Sequence, residues 1–243
     1  MKRLLQGLYA LASYAVGMAS LLYFSGFMIN AFVPKGIDTG PVSGTGASLL
    51  VNAILLLAFL VPHSVMARPW FKTKWARLVP VAIERSTYIL LAGMTLFFLV
   101  WQWRPMPVVL WSFGEGLPTI LGYAFYALGW VMMLVSTVSI DHLAFFGLRP
   151  AWQDGSASAP NRATGLSRHG FYAFVRHPIS LGWMLVLVST PTMTVGHLLM
   201  AGFMVVYIVL VTPLEERDIE HELGDEYRDY RRTVRAFLPV RRS

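Results

Sequence analysis

Two pairs of charged residues flank one apolar region near the end of the chain. The stretch FYAFVRHPISLG, 171–182, places Arg176 and His177 directly before a proline, and Glu215 and Glu216 follow the apolar region at its far end. Within that region STPTMTVG, 189–196, interrupts the helical pattern with a proline and a glycine. The sequence therefore predicts a helical hairpin whose ends bring the opposite charges together. In the alternative interpretation, Arg176 and His177 only extend to the membrane interface and the glutamates begin a solvated helix.

Three further titratable residues stand where apolar segments end. His63 lies near the end of the second segment, and Asp141 and His142 end the fourth. Histidine suits general-base chemistry, and a carboxylate beside it fixes the tautomer. The structural alternative is a polar helix end, because ionisable groups cost less there than at mid-bilayer. An acid at a helix C-terminus opposes the helix dipole, however, so Asp141 calls for a partner.

Composition indicates the solvent in which these residues must lie. Of 243 residues 56% are hydrophobic and only 14% are charged, and the mean hydropathy is +0.55. These values predict an integral membrane protein. The absence of cysteine excludes disulfides, thiolate metal ligands and a cysteine nucleophile, so any thiol chemistry must use a thiol from outside the chain.

The apolar runs predict the architecture. Runs at 5–33, 47–66, 83–103 and 117–140 each reach the roughly 20 residues that cross a bilayer. We expect the first to be a retained span, because no clean cleavage site follows it. The predicted fold is an all-α integral membrane protein with four transmembrane helices, a C-terminal helical hairpin and a cytoplasmic C-terminal helix.

Basic residues predict the orientation of the chain. Lys2 and Arg3, the segments 67–85 and 141–178, and the tail after 214 hold 18 of the 20 basic residues, and only Lys35 and Arg104 remain for the other side. Since cytoplasmic loops retain positive charge, both termini are expected in the cytoplasm, with the protein in the bacterial inner membrane. The net charge of +7 then needs no nucleic-acid partner, because anionic lipid headgroups and topology account for it.

The polar segments predict which part of the single structural domain binds the ligand. Residues 1–140 are expected to form a transmembrane scaffold and 141–243 the ligand-binding part. The segment 146–170 is the longest polar insert and is expected to be a cytoplasmic loop, where ligand contacts are common. The tail after 214 predicts one polar helix or two short ones outside the bilayer, with Gly224 as the break.

The C-terminal residues also resemble a known family. Gly-x-Tyr-x-x-x-Arg-His-Pro-x-x-x-Gly, then Glu-Glu, then Gly-x-x-Tyr-x-x-Tyr, over about 165–239, is similar to the isoprenylcysteine carboxyl methyltransferase superfamily of membrane S-adenosylmethionine-dependent enzymes. PHSVMARPWFK, 62–72, and SIDHLAFFGLRPAW, 139–152, are similar to its bacterial methanethiol S-methyltransferase branch. The resemblance extends over most of the chain.

This resemblance implies a cofactor site on the cytoplasmic side that holds S-adenosylmethionine and, after reaction, S-adenosylhomocysteine. Glutamate suits the cofactor's cationic groups, and a helix N-terminus at the proline suits its carboxylate. The positions that match the family's cofactor contacts are Thr164, Gly165, Leu166, Ser167, Tyr172, His177, Pro178, Ile179, Ser180 and Glu215.

Two departures from the superfamily pattern bear on the acceptor. Members that act on lipid-modified cysteine carry a tyrosine where this chain has Ser180, and an arginine where it has Val211. That arginine is expected to hold the acceptor's carboxylate. Its replacement argues against a prenylcysteine acceptor and favours a small thiol.

The implied reaction is methylation of methanethiol to dimethyl sulfide by in-line transfer to a thiolate. The candidate catalytic residues are His63, Asp141, His142 and Arg176, with Arg176 supplying positive potential, and no metal is implied. Methylation of a lipid or isoprenylcysteine-type acceptor is the alternative within enzymes. A transporter or haem-associated protein is the alternative outside them, although the mid-span charges and facing in-span histidines typical of those classes are not visible. Membrane lipid is an expected partner, and the oligomeric state is left open.

Overall fold

The computed structural model describes residues 1–152 and 166–239, and most of them are helical. Five helices in these ranges are long and apolar enough to cross a membrane, as expected of a multi-pass membrane protein. They are α1 Lys2–Met28, α2 Thr45–Ala67, α4 Val81–Gln102, α5 Leu117–Ser139 and α9 Val195–Leu223. The shorter elements are α3 Pro69–Trp75, β1 Val109–Ser112, α6 His142–Phe145, α7 Leu148–Trp152, a 3₁₀ turn Gly170–Ala173, α8 Pro178–Val188, β2 Thr192–Thr194 and α10 Asp225–Thr233.

Each of the four predicted spans corresponds to one long helix. The first ends at Met28, five residues before the end of its apolar run at 33. Asn30 and Phe32 adopt φ values of 54° and 64°, in the left-handed region that an α-helix of L-residues cannot continue through. The helix therefore ends at a backbone turn, and the apolar run continues beyond it.

The predicted interruption of the last apolar region is confirmed. The chain leaves helix at Val188 and re-enters it at Val195, which makes α8 only 11 residues long and α9 29 residues long. The tail differs from the prediction in one respect, since α9 continues through Pro213 to Leu223 instead of ending with the apolar run. Gly224, at φ 59°, then separates α9 from the polar helix α10.

The described residues form two compact units, and the first contains residues 1–108, 142–152 and 194–197. Here α1 packs closely on α4, because a Cβ added at Gly93 would lie 3.0 Å from the Gly17 Cα. Part of the predicted loop 146–170 is helical, since α7 carries the Trp152 ring to Gly7 of α1, where a Cβ would lie 2.5 Å from it. Glycine at these positions permits the close helix approach.

The second unit contains residues 109–141, 166–193 and 198–239. Its closest helix contact joins α5 to α8, where a Cβ at Gly129 would lie 2.6 Å from the Gly182 carbonyl oxygen. The interruption before α9 is fixed by β1, which pairs with β2, and by the Phe113 N–H, which donates to the Pro191 carbonyl over 3.1 Å. The assignment of residues 1–140 to a transmembrane scaffold and of 141–243 to the ligand-binding part stays a prediction.

Candidate active site

The backbone of the Arg176-His177 dipeptide is held by the C-terminal segment. The backbone N–H groups of Arg176 and His177 donate to the carbonyl oxygens of Arg235 and Ala236, at 2.9 and 3.1 Å. His177 is the residue that precedes α8, and Pro178 occupies the first helical position, where its missing N–H costs nothing. The polar dipeptide therefore lies at the N-terminus of an apolar helix, with its backbone already paired.

The Arg176 guanidinium forms a buried ion pair with Glu216 of α9. Its Nε and Nη2 both donate to Glu216 Oε1, at 2.8 and 2.6 Å, and the two side chains are 5% and 8% exposed. His177 Nε2 lies 3.0 Å from the same oxygen. The second carboxylate oxygen, Oε2, faces Arg231 Nε at 3.6 Å. The predicted meeting of opposite charges at the ends of the interrupted region is thus confirmed for Glu216.

The remaining donors of Arg176 point to the C-terminal segment. Nη1 donates to the carbonyl oxygens of Arg231, at 3.4 Å, and Val234. The His177 ring lies 5.9 Å from the Phe237 ring. Arg176 therefore binds three parts of the unit together, namely the start of α8, the polar end of α9 and the segment after α10.

Three tyrosines surround this ion pair. The Tyr230 hydroxyl donates to the Tyr172 carbonyl over 2.6 Å, and burial raises the pKa of Tyr230 to about 12. Burial also raises the pKa of Tyr172, and burial followed by the Glu216 carboxylate raises that of Tyr227. All three side chains are neutral phenols at physiological pH. The buried Tyr227 hydroxyl makes no hydrogen bond of normal geometry within residues 1–152 and 166–239.

The predicted cofactor residues that the structure describes lie at the start of α8, before and within the 3₁₀ turn, and on α9. Pro178, Ile179 and Ser180 form the first turn of α8, whose leading N–H groups have no partner within the helix. Leu166 and Ser167 are half-buried, and the Ser167 hydroxyl donates to the Ser139 carbonyl over 3.3 Å. Tyr172 lies in the 3₁₀ turn, and Glu215 is half-buried on α9. Thr164 and Gly165 lie outside the described residues.

In the first unit His63 is paired with a tyrosine of α4. The Tyr88 hydroxyl lies 3.0 Å from His63 Nε2, and the imidazole also packs against Phe59 at a ring distance of 5.4 Å. The Arg85 guanidinium lies over the Tyr88 and Phe145 rings, 4.8 Å from each, and its Nε donates to the Phe145 carbonyl over 2.7 Å. A cation therefore lies next to the hydroxyl partner of His63.

His142 forms a second histidine–tyrosine pair in the same unit. The Tyr14 hydroxyl lies 3.1 Å from His142 Nε2, and Phe146 packs on the imidazole at a ring distance of 4.7 Å. Since the Arg85 cation covers Phe145, the residue before Phe146, both pairs border one aromatic cluster. The Tyr14 hydroxyl can hold one tautomer of His142, whereas the Tyr88 hydroxyl lies 3.2 Å from His63 Nδ1 as well and so contacts both ring nitrogens of His63.

Asp141 ends α5 in the second unit with a strained backbone. Its φ of 81° lies in the left-handed region, which costs a non-glycine residue of order 1–3 kcal/mol. Aspartate is among the side chains that tolerate this region best. Strain of this kind is a reason to suspect function, and the roles predicted for Asp141, His63, His142 and Arg176 stay predictions.

Several residues of these clusters were not assigned a role from sequence. Tyr227 and Tyr230 were visible as the spaced tyrosines of the motif, and Glu216 as one of the acidic pair. Tyr14, Arg85 and Tyr88 gave no comparable signal. Tyr14 and Tyr88 lie 128 and 25 residues from their histidine partners, so only the packing of helices brings them together.

Comparison with known proteins gives consistent relatives over nearly the whole chain. A methanethiol S-methyltransferase of Mycobacterium tuberculosis is 44% identical over 242 residues, 98% of this chain and 98% of that protein. Methanethiol S-methyltransferase 2 of Bradyrhizobium diazoefficiens is 44% identical over 96% of this chain and 89% of its own. The methanethiol S-methyltransferase of Crocosphaera subtropica is 38% identical over 96% and 91%. No protein-family model and no solved structure matches the chain.

Proposed function

Because this chain belongs to the methanethiol S-methyltransferase family, we propose that it transfers a methyl group from S-adenosylmethionine to methanethiol, forming dimethyl sulfide. The observation that carries the proposal is the 44% identity to the Mycobacterium tuberculosis enzyme over 98% of both chains. The absence of cysteine agrees with it, since the thiol must come from the substrate.

The donor site is assigned to the N-terminus of α8 and the residues around it. The first-turn N–H groups of Ile179 and Ser180 suit the methionyl carboxylate, because a helix N-terminus favours an anion. Glu215 suits the ammonium or sulfonium charge of the donor. The Arg176–Glu216 pair holds His177 and Pro178 in place, so the start of α8 is fixed before any ligand arrives. Bound S-adenosylmethionine supplies an electrophilic methyl carbon.

The chain must also supply the acceptor as a thiolate. An alkyl thiol is largely protonated near neutral pH, and the thiolate is the nucleophile. In the proposed step the thiol proton passes to an imidazole nitrogen, the thiolate sulfur forms a bond to the methyl carbon, and the sulfonium C–S bond breaks. The products are dimethyl sulfide and S-adenosylhomocysteine. His63 and His142 are the candidate bases, and Tyr88 and Tyr14 orient their rings.

Three charged residues support the proton transfer in this proposal. Asp141, at its strained position before His142, is assigned to orientation of the imidazole. Arg176 keeps its predicted role as a source of positive potential. We assign Arg85 as a second source of positive potential, because this guanidinium lies between Tyr88 and Phe145 next to His63.

The protein is placed in the bacterial inner membrane with both termini in the cytoplasm. Support comes from the distribution of basic residues, 18 of 20 on one side, and from the bacterial relatives. In this orientation the chain crosses the bilayer outward through α8 and returns to the cytoplasmic side through α9. An 11-residue helix rises only about 16 Å at 1.5 Å per residue, so β2 and the preceding turn complete the path.

The experiment is headspace gas chromatography of the purified protein with S-adenosylmethionine and methanethiol. Dimethyl sulfide should accumulate together with an equal amount of S-adenosylhomocysteine. Matched reactions lack the thiol, or contain hydrogen sulfide in its place. If S-adenosylhomocysteine forms equally without thiol, or if dimethyl sulfide does not form at all, the proposal is wrong.

A further inference from the structure

An apolar groove on the first unit ends at two cations that form no ion pair within residues 1–152 and 166–239. The groove lies between α1 and α4 and has a volume of about 480 Å³. It is lined by Val16, Ala19, Ser20, Tyr23, Met94, Phe97, Phe98 and Trp101. No residue of the donor site or of the histidine–tyrosine pairs takes part in this lining, so the proposed reaction does not account for the groove.

The groove lies next to the glycine contact of the two helices. The close approach of Gly17 and Gly93 holds α1 and α4 together in mid-helix. Beyond that point larger side chains follow, with Tyr23 and Phe97 in edge contact at a ring distance of 5.7 Å. The lining is almost wholly hydrocarbon, since Ser20 donates its hydroxyl to the Val16 carbonyl over 2.8 Å. Such a surface suits an alkyl chain.

The length of the groove also fits an alkyl chain within one leaflet. Its lining runs from residue 16 to 23 on α1 and from 94 to 101 on α4. Seven residues of helix rise about 10 Å, and half of a hydrocarbon core of roughly 30 Å is about 15 Å. The groove therefore extends through most of one leaflet and ends near the helix termini.

Lys35 and Arg104 lie at that end of the groove. Lys35 Nζ donates to the carbonyl oxygens of Trp101, which lines the groove, and Trp103, the latter over 2.9 Å. An ammonium has three donors, so one is left for a ligand. Burial and the charge of nearby Arg104 lower the pKa of Lys35. Within the described ranges neither side chain forms an ion pair, so both cations remain available to an anionic group.

We propose that this groove binds one anionic phospholipid, with an acyl chain along α1 and α4 and its phosphate at Lys35 and Arg104. The hydrocarbon lining, the leaflet-scale length and the paired cations all match that one class of ligand. A zwitterionic lipid would match the groove but not the two charges. A second copy of the chain would need acidic residues opposite Lys35 and Arg104.

Native mass spectrometry of the purified full-length protein tests this with phosphatidylglycerol and phosphatidylcholine of identical acyl chains. Phosphatidylglycerol should bind about 25-fold more tightly, because each cation near a membrane surface contributes about fivefold. Arg104→Gln should lose about fivefold for phosphatidylglycerol and clearly less for phosphatidylcholine, because the choline cation offsets the charge of the phosphate in that lipid. Its side chain makes no hydrogen bond within the described residues, so the fold should persist, whereas Lys35→Gln also removes bonds to α4.

A second pair of variants tests the groove itself. Ala19→Leu fills the lining and should weaken both lipids, while Ala58→Leu, at an exposed alanine of α2 outside the groove, should weaken neither. Thermal unfolding in the same detergent checks that each variant is folded. Equal binding of the two lipids to the unaltered protein, or unchanged binding to Ala19→Leu, overturns the proposal. A dimer that Ala19→Leu abolishes would overturn it too, since the groove would then hold a second copy.

Discussion

The same substitution, glutamate to glutamine, can be compared at two adjacent positions, the buried Glu216 and its neighbour Glu215. Glu216 accepts two hydrogen bonds from Arg176 and lies 3.0 Å from His177 Nε2, whereas Glu215 is half-buried on another face of α9. Glu216→Gln keeps the shape of the side chain and removes its charge. Arg176, whose side chain is 5% exposed, is then left with a buried positive charge that no other carboxylate of the described residues pairs with.

The size of the effect follows from that burial. Removing one partner of a buried ion pair costs roughly 3–5 kcal/mol. The glutamine amide oxygen still accepts a hydrogen bond, so we expect the lower end, about 3 kcal/mol. For a chain of this length that loss lowers the unfolding temperature by about 6–12 °C, at roughly 2–4 °C for each kcal/mol. Glu215→Gln should lower the free energy of unfolding by less than Glu216→Gln does, because Glu215 is only half-buried and Glu216 is buried.

Calorimetry with S-adenosylhomocysteine completes the experiment. Roughly micromolar binding is expected for the unaltered protein, since several charge-assisted contacts contribute. Glu215→Gln should weaken this binding by about 1–3 kcal/mol if its carboxylate contacts the donor, and it should lower the unfolding temperature less than Glu216→Gln does. Glu216→Gln should lower both quantities. A Glu216→Gln protein that unfolds at the normal temperature would refute the reasoning, because the buried pair would then contribute nothing.

Three other outcomes are expected. Gly129→Ala should destabilise the protein by about 1–3 kcal/mol in thermal unfolding, because its Cβ would lie 2.6 Å from a carbonyl oxygen. The control is Gly202→Ala, whose Cβ would meet nothing within 4 Å and which should be neutral or stabilising. Equal effects of the two substitutions would contradict the packing. If His63 is the base, the turnover of His63→Ala should fall about 10²–10⁴-fold near neutral pH and should recover as the pH approaches the pKa of the thiol. His142→Ala is measured in the same way. Normal pH profiles in both variants would exclude a histidine base. Reporter fusions at the C-terminus and inside 35–46 should report opposite sides of the membrane, and the same side for both would overturn the orientation.

The spans could be predicted because length and hydrophobicity are properties of a single segment. Pro191 and its neighbours likewise marked the interruption before α9, since a proline removes a helical hydrogen bond wherever it stands. The end of α1 at Met28 could not be predicted, because left-handed Asn30 and Phe32 end the helix inside an apolar run. The passage of α9 through Pro213 was missed for a related reason, since neighbouring contacts decide whether a proline ends a helix or is accommodated.

The candidate site could be predicted as a meeting of charges but not at the resolution of single residues. Adjacent residues on an α-helix point about 100° apart, so Glu215 and Glu216 cannot both face Arg176. Which one does so depends on how α9 rotates against the start of α8, and sequence spacing carries no information about that rotation. The tyrosine partners of His63 and His142 were missed for the same reason, since each contact joins separate helices.

The surroundings of two arginines suggest different contributions to the same reaction. Arg176 directs its donors to Glu216 and to the carbonyl oxygens of Arg231 and Val234, so most of its charge is already neutralised. Arg85 donates to one carbonyl and otherwise lies against two aromatic faces, and within the described ranges it forms no ion pair with an acid. Aromatic rings attract a cation without cancelling its charge as a carboxylate does. In the proposed reaction Arg85 is therefore expected to add to the positive potential assigned to Arg176, whose contacts also fix the start of α8.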